Sequence, residues 1–255
     1  MKVRTSRTIL LWLAVVFLGG IVVLALAGDR QARSELPAQL AAWVTIAAIF
    51  FAGWWFRVRP RRDLHRAEAS GLRLTTAPGD PLGMLDRGFV LLGDMSTAKD
   101  VENTSWGTWH GLDVVVFDYW FARSSDPSID DRRLFTCAAT SVPDAWPDLA
   151  IVPRDAFGTI AHALGLRGVE FELERFNRAF EVRSMEPRFA GALIDASMID
   201  WLLALPSGTG FEIHGSTMLA ISPQPTFDGL AFALETMLAF RERIPPVVAS
   251  LYGDR

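Results

Sequence analysis

The sequence predicts an α+β protein, with a two-helix transmembrane hairpin followed by one cytoplasmic α+β domain of antiparallel hairpins and about three helices. Three observations predict it. Two long runs near the N-terminus carry no charge, the middle of the chain alternates in strand-like fashion around His-Gly turns, and apolar residues recur at helical spacing toward the C-terminus.

The charge-free runs are "TILLWLAVVFLGGIVVLALA", Thr8 to Ala27, and "AQLAAWVTIAAIFFAGWWF", Ala38 to Phe56. About twenty residues at 1.5 Å each cross a hydrocarbon core of roughly 30 Å. Trp43, Trp54 and Trp55 lie near the ends of the second run, where indoles favour the interface. The connector "GDRQARSELP" holds two arginines, whereas Lys2, Arg4 and Arg7 precede the first run and "FRVRPRRDLHR" follows the second. The positive-inside rule then places both termini in the cytoplasm of a protein in the plasma (inner) membrane. A rival reading has a signal peptidase cut after Ala27, which leaves the main domain on the same side.

Charge is divided along the chain. Residues 1–66 hold ten of the 25 Lys+Arg and three of the 29 Asp+Glu, so the remainder is acidic. An acidic domain lacks the positive footprint a nucleic-acid binder needs. Arg57, Arg59, Arg61, Arg62 and Arg66 either only orient the chain or also meet anionic lipid headgroups, worth about 1 kcal/mol each near the surface. The lipid bilayer is thus the expected partner, beside another membrane or cytoplasmic protein. The single cysteine, Cys137, cannot form an internal disulfide and reads as a buried thiol.

Residues 67–81 read as a linker and 82–255 as the domain. "RGFVLLGD" reads as a short apolar segment and "MSTAKDVENTS" as a polar loop. "WGTWHGLDVVVFDYWFARS" reads as a hairpin, followed by strands in "RRLFTCAATSV" and "LAIV". Asp155 is a candidate N-cap for a helix that Gly165 ends, and "VEFELERF" alternates as a strand with one wet side. Pro187 opens a helix through Leu205, "GFEIHGSTMLAIS" is a second hairpin, and Thr226 caps a last helix that Pro245 stops.

Chemistry-bearing residues are few. His110-Gly111 and His214-Gly215 have a turn explanation, because two-residue hairpin turns require positive φ that glycine supplies and His tolerates. His162 sits near a helix end and His65 in the arginine cluster. No histidine or cysteine spacing forms a metal site, and no Walker, dinucleotide or Gly-x-Ser-x-Gly motif implies a cofactor or a nucleophile elbow. Asp195 and Asp200 do not stack as a pair.

Asp118 in "FDYW" is the most suggestive group. It shares a strand face with Trp120, either as sheet surface or as a binding patch with Trp106 and Trp109, since indoles are enriched at hot spots. The leading expectation is a non-enzymatic, membrane-anchored binding module. The alternatives are a hydrolase using Asp118 with His110 or His214, and a subunit of a membrane complex packed through Gly19 and Gly20.

The landmarks "DRGFVLLGD", "ENTSWGTWHGLDVVVFDYW", "TCAATSVPDAWPDLAI", "FELERFNRAFEV", "DASMIDWLL" and "FEIHGSTML" span about residues 82–248. They resemble a family of uncharacterised, mostly actinobacterial membrane proteins near a broad bacterial membrane domain of unknown function. The resemblance implies a two-span, one-domain layout and supplies no activity.

Overall fold

The structure, a computed structural model, describes residues 65–93, 98–122, 132–157, 165–223 and 229–253. They belong to one compact unit, His65–Arg255.

Among the described residues nine strands form one sheet: β1 (Thr75–Pro78), β2 (Ala98–Trp109), β3 (Leu112–Ala122), β4 (Arg133–Ser141), β5 (Leu149–Pro153), β6 (Arg167–Val169), β7 (Phe180–Ser184), β8 (Gly210–His214) and β9 (Thr217–Pro223). Their order across the sheet is β1-β2-β3-β4-β9-β8-β5-β7-β6, and every pairing is antiparallel. Helical segments are α1 (65–71), α2 (Arg154–Phe157), α3 (Glu174–Ala179), α4 (Pro187–Leu193), α5 (Ala196–Ala204), α6 (Gly229–Arg243) and α7 (Pro246–Tyr252).

This corrects the expected fold class. A single nine-stranded sheet replaces a set of hairpins, and seven α-helical segments among the described residues replace about three. No helix among the described residues is long and apolar enough to cross a membrane, so the expected two-helix transmembrane hairpin is not shown. The runs 8–27 and 38–56 lie outside the described residues, as do Arg57, Arg59, Arg61 and Arg62; Arg66 is exposed on α1.

Each face of the sheet builds its own core. On one face Val114, Val116, Ala138, Ile151, Phe211, Ile213 and Ala220 pack against α3 to α7 and Ala69 of α1. On the other, Phe117, Tyr119, Phe121, Phe135, Ala150, Val152, Leu219 and Ile221 meet α2 and the segment 82–93, which contributes Met84 and Phe89 to Leu92. Two covered faces explain why the strands are apolar on both sides, a pattern more often seen in parallel sheets.

Local departures from the sequence reading have identifiable causes. The supposed polar loop "MSTAKDVENTS" contains the start of β2; its Asn103, Thr104 and Ser105 are polar yet buried, which hid the strand. "VEFELERF" is not one strand. The Asn177 amide donates to Phe171 O at 2.6 Å and accepts from Phe171 N at 3.0 Å, taking the place of a strand partner, and α3 follows. The helix expected over Pro187–Leu205 divides because Asp195 accepts from Met198 N at 2.8 Å, capping a fresh start for α5. Residues 67–81, read as linker, carry most of α1 and all of β1. Thr226 and His162 lie outside the described residues.

Candidate functional site

The His110-Gly111 turn sets the register of β2 against β3. His110 has φ 51° and Gly111 φ 78°, as a two-residue hairpin turn requires. Farther along, the pairing shifts between Val101 and Asn103, a bulge that turns Asn103 to the helix-covered face directly opposite Asp118. The registers of β3 on β4 and β4 on β9 then align Asn103, Asp118, Thr136 and Ser222 across four strands. Gly210 pairs with Ile221, so the next position along sets Thr209 beside Ser222. A continuous polar row therefore crosses a face that is otherwise apolar.

Its centre is a closed network. Asp118 Oδ2 accepts from Asn103 Nδ2 at 2.8 Å, and Thr136 Oγ1 lies 3.5 Å from Oδ1. His65, the first described residue of α1, places Nε2 2.9 Å from Ser105 Oγ and Nδ1 3.0 Å from Asp118 Oδ2. The latter approach is too far off-line for a hydrogen bond, so Nδ1 makes an electrostatic contact with the carboxylate rather than a hydrogen bond. Thr76 Oγ1 sits 3.0 Å from Ser105 Oγ. Asp118 is 6% exposed, His65 3% and Ser105 0%. Cys137, beside Thr136 but facing the other core, has its thiol pushed well above the usual range, first by burial and then by the Asp118 charge.

The two ends of the row differ. Next to Asp118, Trp120 carries the Arg132 guanidinium 3.9 Å from its ring centroid, and Arg132 also lies 3.7 Å from Glu102 Oε1. At the far end, Ser222 Oγ and Thr209 Oγ1 are enclosed and have no hydrogen-bond partner among the described residues, although each residue is only 1% exposed. Most buried polar atoms are paired, so two neighbouring exceptions are informative.

The predicted binding residues do not form one patch. Asp118 and Trp120 share the helix-covered face, where both are buried. Trp109 lies on that face at the hairpin end, half-buried, and Trp106 is on the opposite face. Asp118 meets His65 and neither turn histidine. His110 is at the hairpin tip against Trp109, with ring centroids 4.2 Å apart. Asp200 pairs with Arg175 at the surface at 2.8 Å.

His214 ends β8 instead of occupying the turn, which Gly215 makes. Its Nδ1 lies 2.8 Å from Asp148 Oδ2, and Asp148 Oδ1 accepts from Gly215 N at 2.9 Å. Two residues back on the same face, Glu212 accepts from Val90 N at 2.7 Å and Leu91 N at 2.8 Å. Burial raises the Glu212 pKa to about 7 against the lowering effect of the two amides, and Asp148 adds to the rise. Sequence reasoning passed over both clusters; the signal for Glu212, a lone acid in the apolar run "GFEIHG", was present. Among the described residues no cluster of His, Cys, Asp or Glu is arranged to hold a metal ion.

Fold and site together define a helix-covered antiparallel sheet with an internal polar row. No protein-family model and no curated protein matches the chain. A solved structure that does match is the crystal structure of the mycobacterial trehalose monomycolate transport factor A, TtfA, at 12% identity and a TM-score of 0.49, covering 72% of this chain and 95% of that one. A likeness of that degree carries no functional argument.

Proposed function

We propose that this chain is a non-enzymatic binding module that encloses a small hydrogen-bonding ligand between its sheet and its helix layer. The observation that carries this reading is the pair of enclosed hydroxyls of Thr209 and Ser222, at the end of the polar row, that have no partner among the described residues. Each unmet hydroxyl costs roughly 1–3 kcal/mol, a burden that a ligand accepting or donating at that point would relieve. The Ser105–His65–Asp118 spacing resembles that of a nucleophile, base and orienting acid, but Ser105 has no exposed surface and its hydroxyl is also engaged by Thr76. That favours an internal structural network over hydrolysis.

The double variant Thr209→Val/Ser222→Ala discriminates. Freed of two buried hydroxyls, the ligand-free protein is expected to be more stable than wild type by about 2–6 kcal/mol, and to lose any small molecule that native mass spectrometry finds on the wild-type chain. A less stable double variant would mean that both hydroxyls are already satisfied.

A companion proposal sets the module at the cytoplasmic side of the inner membrane, with the lipid bilayer and a membrane or cytoplasmic protein as partners. Its support is the arginine-rich segment from Arg57 to Arg66. Alkaline phosphatase fused after Arg255 is expected to be inactive, because that enzyme requires an oxidising periplasm to form its disulfides; an active fusion would refute the placement.

A further inference from the structure

Glu68 lies one helical turn beyond His65 on α1, so the two side chains share a face of that helix. His65 meets the polar row at Asp118 and Ser105. Glu68 reaches onward to α6: its Oε2 accepts from Leu230 N, in the first turn of that helix, at 3.1 Å. That first turn is itself set over the end of the row. Only residues 224–228 separate Pro223 of β9 from Gly229, and the other end of α6 is tied to the end of β4 by Arg241, which donates to Ser141 O at 3.1 Å. Ser141 pairs with Thr217 at the start of β9, whereas Thr136 pairs with Ser222 near its finish. The helix therefore begins beside Thr136 and Ser222 and runs away from them.

The second oxygen of Glu68, Oε1, is enclosed yet has no hydrogen-bond partner among the described residues, and the same holds for Ser222 Oγ and Thr209 Oγ1. Strand alternation turns both hydroxyls toward the helix layer. Ala220 and Phe211, two residues from Ser222 and Thr209, pack in the core on that side, while Ile221 packs in the other.

We propose that α1, the first turn of α6 and the β8–β9 end of the row enclose a site for a small primary ammonium compound, with Glu68 as its counter-ion. This rests on the ligand-binding reading above and gives that ligand a chemical class. An ammonium group carries three N–H donors and no acceptor, and the three unmet atoms all accept: one carboxylate oxygen and two hydroxyls. A neutral hydroxylated ligand satisfies Ser222 and Thr209 but leaves the carboxylate uncompensated, and a buried charge is costly unless paired. An anion would face Glu68 and Asp118 together. A metal ion fits poorly, since among the described residues no cluster of His, Cys, Asp or Glu is arranged to hold one. His65 does not supply the missing cation, because its two nitrogens are directed at Ser105 and Asp118. Ala69 of α1 and Leu230 and Leu234 of α6 offer apolar surface to a short carbon chain.

Isothermal titration of the full chain with ethylammonium chloride tests the proposal, with ethanol as a neutral probe of like size and potassium chloride as a bare monovalent cation. Ethylammonium is expected to bind at least about tenfold more tightly than either, the equivalent of one charge-assisted hydrogen bond. Glu68→Gln, whose amide oxygen can still cap Leu230 N, is expected to weaken ethylammonium about tenfold or more and to leave ethanol unaffected. Equal affinity for ethanol or potassium, undiminished affinity in Glu68→Gln, or no binding of ethylammonium would overturn the ammonium class, the last leaving ordered water as the occupant. Should Glu68→Gln not fold, Ser222→Ala takes its place. It keeps every charge and is expected to weaken ethylammonium roughly threefold to tenfold, and an unchanged affinity would equally overturn the site. The two readings fail separately. If ethylammonium does not bind but native mass spectra still show a small molecule that Thr209→Val/Ser222→Ala loses, the enclosed-ligand function stands and its cationic character falls.

Discussion

Replacing Asp118 with alanine is expected to destabilise the described unit by about 3 kcal/mol, among the largest single-residue effects in the molecule. The carboxylate anchors Asn103 and lies against His65 and Thr136, all of them buried. Deleting it leaves the Asn103 amide enclosed without its acceptor and removes the charge beside His65 Nδ1, and a buried group stripped of its partner costs more than an intact hydrogen bond contributes net. Because His65 belongs to α1 and Asn103 to β2, the same substitution loosens the docking of that helix. Urea denaturation with an unchanged slope reads the effect directly. Asp118→Asn, which keeps the shape and one acceptor oxygen, should cost less than alanine. A loss under about 1 kcal/mol for Asp118→Ala would mean that the network is marginal to stability.

Phe211→Ala is the second large effect, expected at about 3–5 kcal/mol. Phe211 is 1% exposed on β8, stacks on Phe240 of α6 at 4.3 Å with planes 13° apart, and meets Trp201 of α5 at 5.6 Å. One ring thus joins the sheet to two helices, and its removal opens a cavity that three separate elements cannot collapse together to fill. Thermal denaturation would show a correspondingly large fall in midpoint. Phe211→Leu, which retains most of the volume, should recover a substantial part of it.

What the sequence disclosed depended on how local the determining interaction was. The Trp109–Leu112 hairpin was legible because its turn is specified by adjacent residues, and α6 because Leu230, Leu234, Met237 and Phe240 repeat at helical spacing. The break at Asp195 was also local, yet a favourable apolar period on both sides concealed it. The polar row was not legible at all. Asn103, Asp118, Thr136, Ser222 and Thr209 are scattered along half the chain, and only the registers of β2, β3, β4, β9 and β8 bring them into line. His65 was hidden for a further reason: it sits among arginines that suggest a solvated segment, whereas it is the point where α1 meets the sheet. His214 was misjudged because a glycine beside a histidine reads as a turn, and the turn begins one residue later.

The pairing of β4 with β9, in which Phe135 lies opposite Pro223, has a consequence for biosynthesis. The meander from β1 to β4 can assemble as soon as it emerges from the ribosome, but its last strand must wait for residues made much later before that edge is capped. Until then Phe135 and Cys137 belong to a bare margin rich in unsatisfied amides. The nascent chain is consequently most vulnerable to misassociation midway through translation, and holdase chaperones would be recruited at that stage rather than at its start or completion.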